Sequence, residues 1–502
     1  MKHLRYFLFL SFSICSMFTC SMFAQAQSAD SVRKQNWRHA PAKLQADWDS
    51  LKTLLTETHT DLRAYVSEAE LEFLYERVER AIEDSMTSKT FFKLVNPIFI
   101  ALKDVHSRIW LPRLYNDYAM QGGYYLPINV RFLAEKTYIF FDRDSLIPKG
   151  SELLTINGFS ADFIRDSLAG QTYTDGDNRG TRLRLLEESF YTQLPLFFRI
   201  DSLNLLRIIR PGQTNDTVIQ VKGIQRLPTG PPPSKRKRVR PPKPDWQKTF
   251  DFQYLAGDSV GLMKINSFSR GSYARYTRFL RKSFKALNQQ ETPYLVIDLR
   301  GNKGGYISRG PILMNYLTDK EYLYVANSIV KASPGFRNKI KENFFWPGLS
   351  IPLLAPVLSD ELVSGWKNPT GVLDTVAWEP IKPRGKRKRY QGEIFLLTDG
   401  LSISNSSLVR SAFSQYKMGL VVGLPCGGSA NGTFGNSIDF QLPHTGLAGR
   451  LSTMRINSFE ADYAYDPQPM EPDYRVPYLL PDLLDDTDTQ VQFILELIRN
   501  RR

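Results

Sequence analysis

Ser404 lies in the segment DGLSISNSSLVRSAF (399–413), directly behind the apolar run GEIFLLT. Leu408, Val409, Ala412, Phe413 and Tyr416 follow it at helical spacing. A hydroxyl there stands at a strand-to-helix turn, at the positive end of the helix. The next backbone N–H could stabilise an oxyanion developing on a substrate carbonyl. Serine is equally at home as a helix cap, so the segment by itself admits a nucleophile or a cap.

A second stretch has related geometry. PYLVIDLRGNKGGY (293–306) is an apolar run closed by a glycine-rich turn. Gly301, Gly304 and Gly305 serve a tight connection in any case. They also let the backbone approach a ligand and aim N–H groups at negative charge. Neither the Walker spacing with its Lys-Ser/Thr nor GxGxxG is present, which disfavours phosphate binding. Oxyanion stabilisation in acyl transfer fits the turn.

A nucleophilic serine needs a base. Beyond residue 26 the histidines are His39, His59, His106 and His444, and His106 stands in LKDVHSRIW (102–110). A lone histidine can be purely structural, and a lysine can replace it, as in Ser-Lys enzymes.

The elements that must position these residues fall into blocks. Leu44, Trp48, Leu51, Leu54 and Leu55 recur at helical spacing, and FFKLVNPIFIAL (91–102) adds another apolar stripe, so 36–115 reads as a helical cap. Pro97 marks a kink or a new turn. Residues 123–223 alternate short β-type runs with Gly, Asp and Asn turns. Residues 227–248 are rich in proline and basic side chains and read as an exposed linker or insertion. From 250 to 485, runs such as SVGLMKI, PYLVIDLR, GEIFLLTD and MGLVVGLP alternate with helical stretches, which argues for an α/β domain.

In that order the elements resemble the tail-specific, or C-terminal processing, serine proteases. LVIDLRGNKGG, then GEIFLLTDGLSISNSS and GLVVGLPCGG, is similar to the family core. There a strand ending in D-L-R-x-N-x-G-G precedes a nucleophile segment S-A-x-E. LKDVHSRI resembles the D-x-H-T element of the branch containing the tricorn protease core and the interphotoreceptor retinoid-binding protein repeats. MEPDYRVP (470–477) resembles the terminal G-V-x-P-D element, and LPINV with PKGSELLTINGFS resembles the family's PDZ-like module.

The resemblance implies a crotonase/Clp-protease-like α/β catalytic core with an N-terminal helical cap and a PDZ-like β-rich domain. It implies Ser404 as nucleophile, with the Asn405 N–H and that of Gly304 or Gly305 as oxyanion donors. The lysine-dependent branch carries its base about where Ser429 stands here, which leaves His106 as the base. Ser107 and Glu471 would complete the network, with Glu460 and Asp466 as further acidic candidates. The family glutamate after the nucleophile is Ser407 in this chain. The function implied is an endopeptidase acting on protein or peptide substrates, or a catalytically inactive relative that binds peptides or an apolar ligand in the same cleft.

Compartment and charge follow from composition. Lys2 and Arg5, the apolar run 6–20 and Ala24-Gln25-Ala26 read as a cleaved secretory signal over 1–26, giving an exported, periplasmic or extracellular protein. Cleavage would remove Cys15 and Cys20 and leave Cys426 alone, so an internal disulfide is excluded. The formal charge of +14 is concentrated in KRKRVR (235–240) and KPRGKRKR (382–389). With no stacking platform or groove-reading motif beside them, these runs read as solvated loops that can contact an anionic envelope surface, and not as a nucleic-acid site. No residue cluster has metal-ligand spacing, so neither a metal nor an organic cofactor is expected.

Overall fold

The computed structural model describes residues 38–112, 123–225, 249–344 and 359–501, apart from 256, 258, 384–388, 431 and 459–466. The signal-like segment, the 227–248 linker with its basic run, most of the second basic run, and Glu460 and Asp466 lie outside the described residues.

A six-stranded sheet organises the C-terminal half. Its spatial order is Tyr474–Arg475, Leu420–Gly423, Glu393–Thr398, Tyr294–Asp298, Val260–Ile265 and Phe250–Leu255. All neighbours run parallel except the last pair. Strands covered on both faces read as unbroken apolar runs, which is why LVI and IFLL lack the alternation of a half-exposed strand. On one face Leu295 and Ile297 pack with the helices Tyr273–Gln289 and Asn405–Gln415. On the other, Val296, Phe395 and Leu397 meet Val491, Ile494 and Ile498 of the C-terminal helix Thr489–Arg499. That helix follows residue 485, so the α/β block extends past the boundary drawn from pattern alone.

The N-terminal helices Pro41–Thr58, Glu68–Ala81 and Ser88–Ala101 have the expected amphipathic spacing, with Pro97 inside the third. Their core is shared with Leu442, Leu447 and Leu451 of a distant hairpin. Strand Arg108–Trp110 also pairs antiparallel with Ala448–Leu451 of that hairpin. The cap and the C-terminal half are therefore knitted together, and this seam carries His106.

Residues 124–222 form a β-rich module around its own core, with strand order Ile128–Leu133, Lys136–Asp142, Ser151–Ile156, Leu203–Ile209 and Asp216–Lys222. Helix Arg179–Phe197 covers the first of these edge strands. Glu187 on that helix accepts the Phe132 N–H at 2.8 Å and pairs with Arg131 at 2.7 Å. Among the described residues, no helix is long and apolar enough to cross a membrane.

Candidate active site

The turn carrying Ser404 is unusual in its backbone. Ser404 has φ 59 and ψ −123 and makes no capping bond, although it stands immediately before helix Asn405–Gln415. A non-glycine residue in that region costs on the order of 1–3 kcal/mol, and such strain persists only where its surroundings enforce it. Of the two roles the sequence allowed, the cap is not adopted. Ser404 is also half-exposed where 401–403 and 405–409 are buried. A sharp, strained strand-to-helix turn that presents a serine hydroxyl is the geometry of a nucleophile elbow.

The enforcement is visible. Asp399 Oδ1 accepts the N–H groups of Gly301 and Leu401 at 2.9 and 3.0 Å, which staples the glycine turn to the serine turn. Ser402 Oγ donates to Leu299 O, and Ser406 Oγ donates to Asn302 O. Ser407 Oγ donates to the Ser404 carbonyl at 2.6 Å. Ser407 thus braces the Ser404 turn.

The other polar residues of the DLRGNKGG motif are scaffold. Arg300 is clamped between Asp298 and Asp488, with contacts of 2.6–2.9 Å. Burial opposes its charge, but the two carboxylates outweigh that and hold its ionisation well above the usual range. Asn302 donates to Ile265 O and accepts the Gly304 N–H at 3.0 Å. The Gly304 amide is therefore committed within its own turn, while that of Gly305 has no such bond among the described residues. Both glycines are demanded by space. A Cβ on Gly305 would lie 2.3 Å from the Phe268 carbonyl carbon. Asn405 is anchored by Tyr324 Oη and by Tyr306 O, and as the first helical residue its N–H lacks an intrahelical acceptor. Lys303 points away to an ion pair with Glu188.

His106 sits on the seam between cap and hairpin, its side chain 24% exposed. Its backbone N–H donates to Asp104 Oδ1 at 2.8 Å, and its Nδ1 lies 3.6 Å from the same oxygen, an ion-pair separation longer than a hydrogen bond. Nδ1 is itself buried with no hydrogen-bond partner. Asp175 lies close by, accepting Val105 N–H at 2.9 Å and Thr433 Oγ1 at 2.8 Å. Burial would raise the Asp104 carboxyl, yet the imidazoles of His106 and His59 outweigh it and hold it well below the ordinary carboxylate range. Asp175 moves the opposite way, pushed up to about 6 by burial, with the Asp104 charge adding to it.

Two sequence expectations need correction. Glu471 is 54% exposed and faces Arg475 at 3.3 Å; a buried aspartate, not this glutamate, accompanies His106. Ser107 is fully buried, and its hydroxyl accepts the Ser452 N–H at 2.9 Å, tying cap to hairpin. The residues that reading missed, Asp104 and Asp175, left unequal traces. Asp104 stands two places before His106 in LKDVHSRI, whereas nothing in TYTDGDN marks Asp175.

Among the described residues, the donor atoms of Asp104, His106 and Asp175 lie within 4.8 Å of one another, the one grouping of metal-ligand types. Its carboxylate oxygens accept bonds from His59, the His106 backbone, Val105 and Thr433, while His106 Nδ1 has no hydrogen-bond partner. Cys426 is buried, its thiol pushed up to about 11 by burial, and Sγ donates to Ser402 O. It is part of the brace, not a reactive thiol.

The segment 426–433 joins the two halves. Gly428 packs against Ser407, within the first turn of the Ser404 helix, and Thr433 bonds Asp175. Asn178 Nδ2 donates to Cys426 O, and Thr181 Oγ1 donates to Gly400 O.

Residues 259–476 match Peptidase family S41. The structure of mature CPAF superposes with a TM-score of 0.60 at 14% identity, covering 88% of this chain and 94% of that one. That of mature CPAF complexed with lactacystin superposes with a TM-score of 0.61 at 15% identity, covering 88% and 95%. At such identities the likeness speaks to the fold. No curated protein matches the chain in sequence. The chain is a serine-type peptidase. The match to family S41 covers residues 259–476, less than half of the chain, and the chain as a whole shares the mixed helix and sheet fold of the mature CPAF structures.

Proposed function

We propose that this chain is an exported serine endopeptidase that cleaves protein or peptide substrates through an acyl-enzyme on Ser404. His106 takes the hydroxyl proton as Oγ attacks the scissile carbonyl. The N–H groups of Asn405 and Gly305 receive the oxyanion, and His106 returns the proton to the leaving amine. Water, activated by the same imidazole, then releases the acyl group. Asp104 replaces Glu471 as the acid that orients His106. In this reading the six-stranded core is of crotonase/Clp type and residues 124–222 form a PDZ-like module. Capture of an extended peptide by strand addition at Ile128–Leu133 would have to displace Glu187, which occupies that edge.

The observation that carries the proposal is the strained, half-exposed Ser404 at the start of a helix, braced on every side but its hydroxyl. A second reading, an inactive peptide or ligand binder, draws on the replacement of the family glutamate by Ser407. Fluorophosphonate labelling separates them. Labelling of the wild type that vanishes in Ser404→Ala and weakens in His106→Ala supports the peptidase. A folded wild type that is not labelled favours the binder. The leader-like residues 1–26 support export; N-terminal sequencing of the protein recovered from the cell envelope would show whether they are removed.

A further inference from the structure

His59 is the second imidazole on Asp104, and the reaction outlined above gives it no part. It is fully buried, with Nε2 3.2 Å from Asp104 Oδ2. On the far side of the ring, Nδ1 accepts the backbone N–H of Asp61 at 3.2 Å. A backbone amide can only donate, so Nδ1 carries no proton in this arrangement, and the ring proton is on Nε2, directed at Asp104. The ring cannot drift from this pose. Phe434 packs against it at a centroid distance of 5.1 Å, and Lys331 Nζ donates to the His59 carbonyl at 3.0 Å.

The two oxygens of Asp104 are thus divided. Oδ2 receives His59, and Oδ1 receives the His106 backbone N–H and faces His106 Nδ1. Asp175, whose donor atom lies within 4.8 Å, is the alternative seat for the negative charge, but its side-chain and backbone donors are a neutral hydroxyl and an amide. Two carboxylates this close do not both ionise readily, so the proton goes to whichever is less well solvated by donors.

We propose that His59 is a positioning residue of the peptidase: its Nε2–H keeps the negative charge on Asp104 and fixes the oxygen that faces His106 Nδ1. The proposal rests on the reading of His106 as the base. Without His59, the charge is free to pass to Asp175, and His106 Nδ1 loses the carboxylate charge it faces. By analogy with the hydrogen-bond partners of metal-ligating histidines, loss of His59 should affect activity by about 10–100-fold.

The test uses the full chain and three substitutions. His59→Phe keeps the ring volume and removes both nitrogens. His59→Asn keeps an acceptor for the Asp61 N–H but is too short to reach Asp104. His59→Gln reaches Asp104 with an amide N–H. The expected result is a fall in kcat of about 10–100-fold for Phe and Asn with KM little changed, and recovery to within about fivefold for Gln. In nitrogen-15 spectra of histidine-labelled protein, the wild type should show His59 as the Nε2–H tautomer and His106 as the Nδ1–H tautomer. The His106 signature should be lost in Phe and Asn and regained in Gln. Folded Phe and Asn variants with unaltered kcat and His106 spectrum would overturn the proposal, as would Gln being as impaired as Asn. If His106→Ala retains full activity, the catalytic reading itself fails. The spectra still report separately whether His59 governs the Asp104–His106 contact.

Discussion

Gly304 lies so close to Ser404 that a methyl group added to its Cα would sit 2.7 Å from Ser404 Cβ and 2.8 Å from the Asn405 nitrogen. Its φ of +80 also disfavours any side chain. The obstacle is backbone and a β-carbon, neither of which can swing aside. Gly304→Ala should therefore displace the nucleophile turn, lowering kcat/KM by at least about 100-fold and stability by roughly 1–3 kcal/mol. Gly301→Ala is the control, because its φ is +72 but a Cβ there meets nothing within 4 Å. It should cost about 1 kcal/mol of stability and leave activity within about threefold. Equal losses in the two variants, measured by denaturant melts and peptide turnover, would refute the steric account.

The strain at Ser404 makes a prediction about stability as well as activity. Both Ser404→Ala and Ser404→Gly remove the hydroxyl and should abolish turnover. Only glycine relaxes the φ 59, ψ −123 backbone. Against its greater freedom in the unfolded chain, about 0.5–1 kcal/mol, the released strain should leave Ser404→Gly more stable than Ser404→Ala by about 0.5–2 kcal/mol. Chemical denaturation of the two inactive proteins decides it, and a glycine variant no more stable than alanine removes the claim of strain.

The exchange of Glu471 for Asp104 as the acid beside His106 is directly measurable. Asp104→Asn preserves shape but can present an amide N–H to the imidazole, favouring the wrong tautomer, a change that lowers kcat by about 10⁴-fold in the serine-protease triad. Glu471→Gln touches only an exposed pair with Arg475, for which a surface effect of about 0–1 kcal/mol on stability is expected, with kcat essentially unchanged. The reverse pattern of activities would restore Glu471 to the site.

The contrast between what sequence disclosed and what it hid has a physical basis. Ser404 and the glycine turn were legible because each follows an apolar strand immediately, so local order in the chain equals order in space. Asp104 was legible in hindsight, since its bond to the His106 N–H spans only two residues. Asp175 and His59 reach the network through contacts with Thr433 and Asp104 made across long stretches of chain, and neither stands in a pattern of its own. Glu471 was drawn in by its place in a terminal motif, yet its carboxylate turns to Arg475, four residues along its own segment. The cap–hairpin seam escaped notice for a related reason. Periodicity marks Leu44, Trp48, Leu51 and Leu55 as one buried face but not that Leu442, Leu447 and Leu451, far along the chain, pack in the same core.

Asp175 supplies a pH test of the buried pair. Its carboxyl is pushed up from 3.8 to about 6, first by burial and then by the charge on Asp104. A raised folded-state value means that the native protein binds this proton more tightly than the unfolded chain does. Its effect on stability is therefore most favourable below 3.8 and declines as pH rises through about 6. Asp175→Asn keeps a partner for Thr433 and the Val105 N–H while removing the titration. Its stability relative to wild type should rise between pH 4 and pH 7, by on the order of 1–3 kcal/mol. Asp104 titrates with the opposite sign and shares its charge with Asp175, so the difference between the denaturation curves reports the pair. A difference that stays flat across the interval, or falls, would mean that the second carboxyl of the network is already ionised beside Asp104.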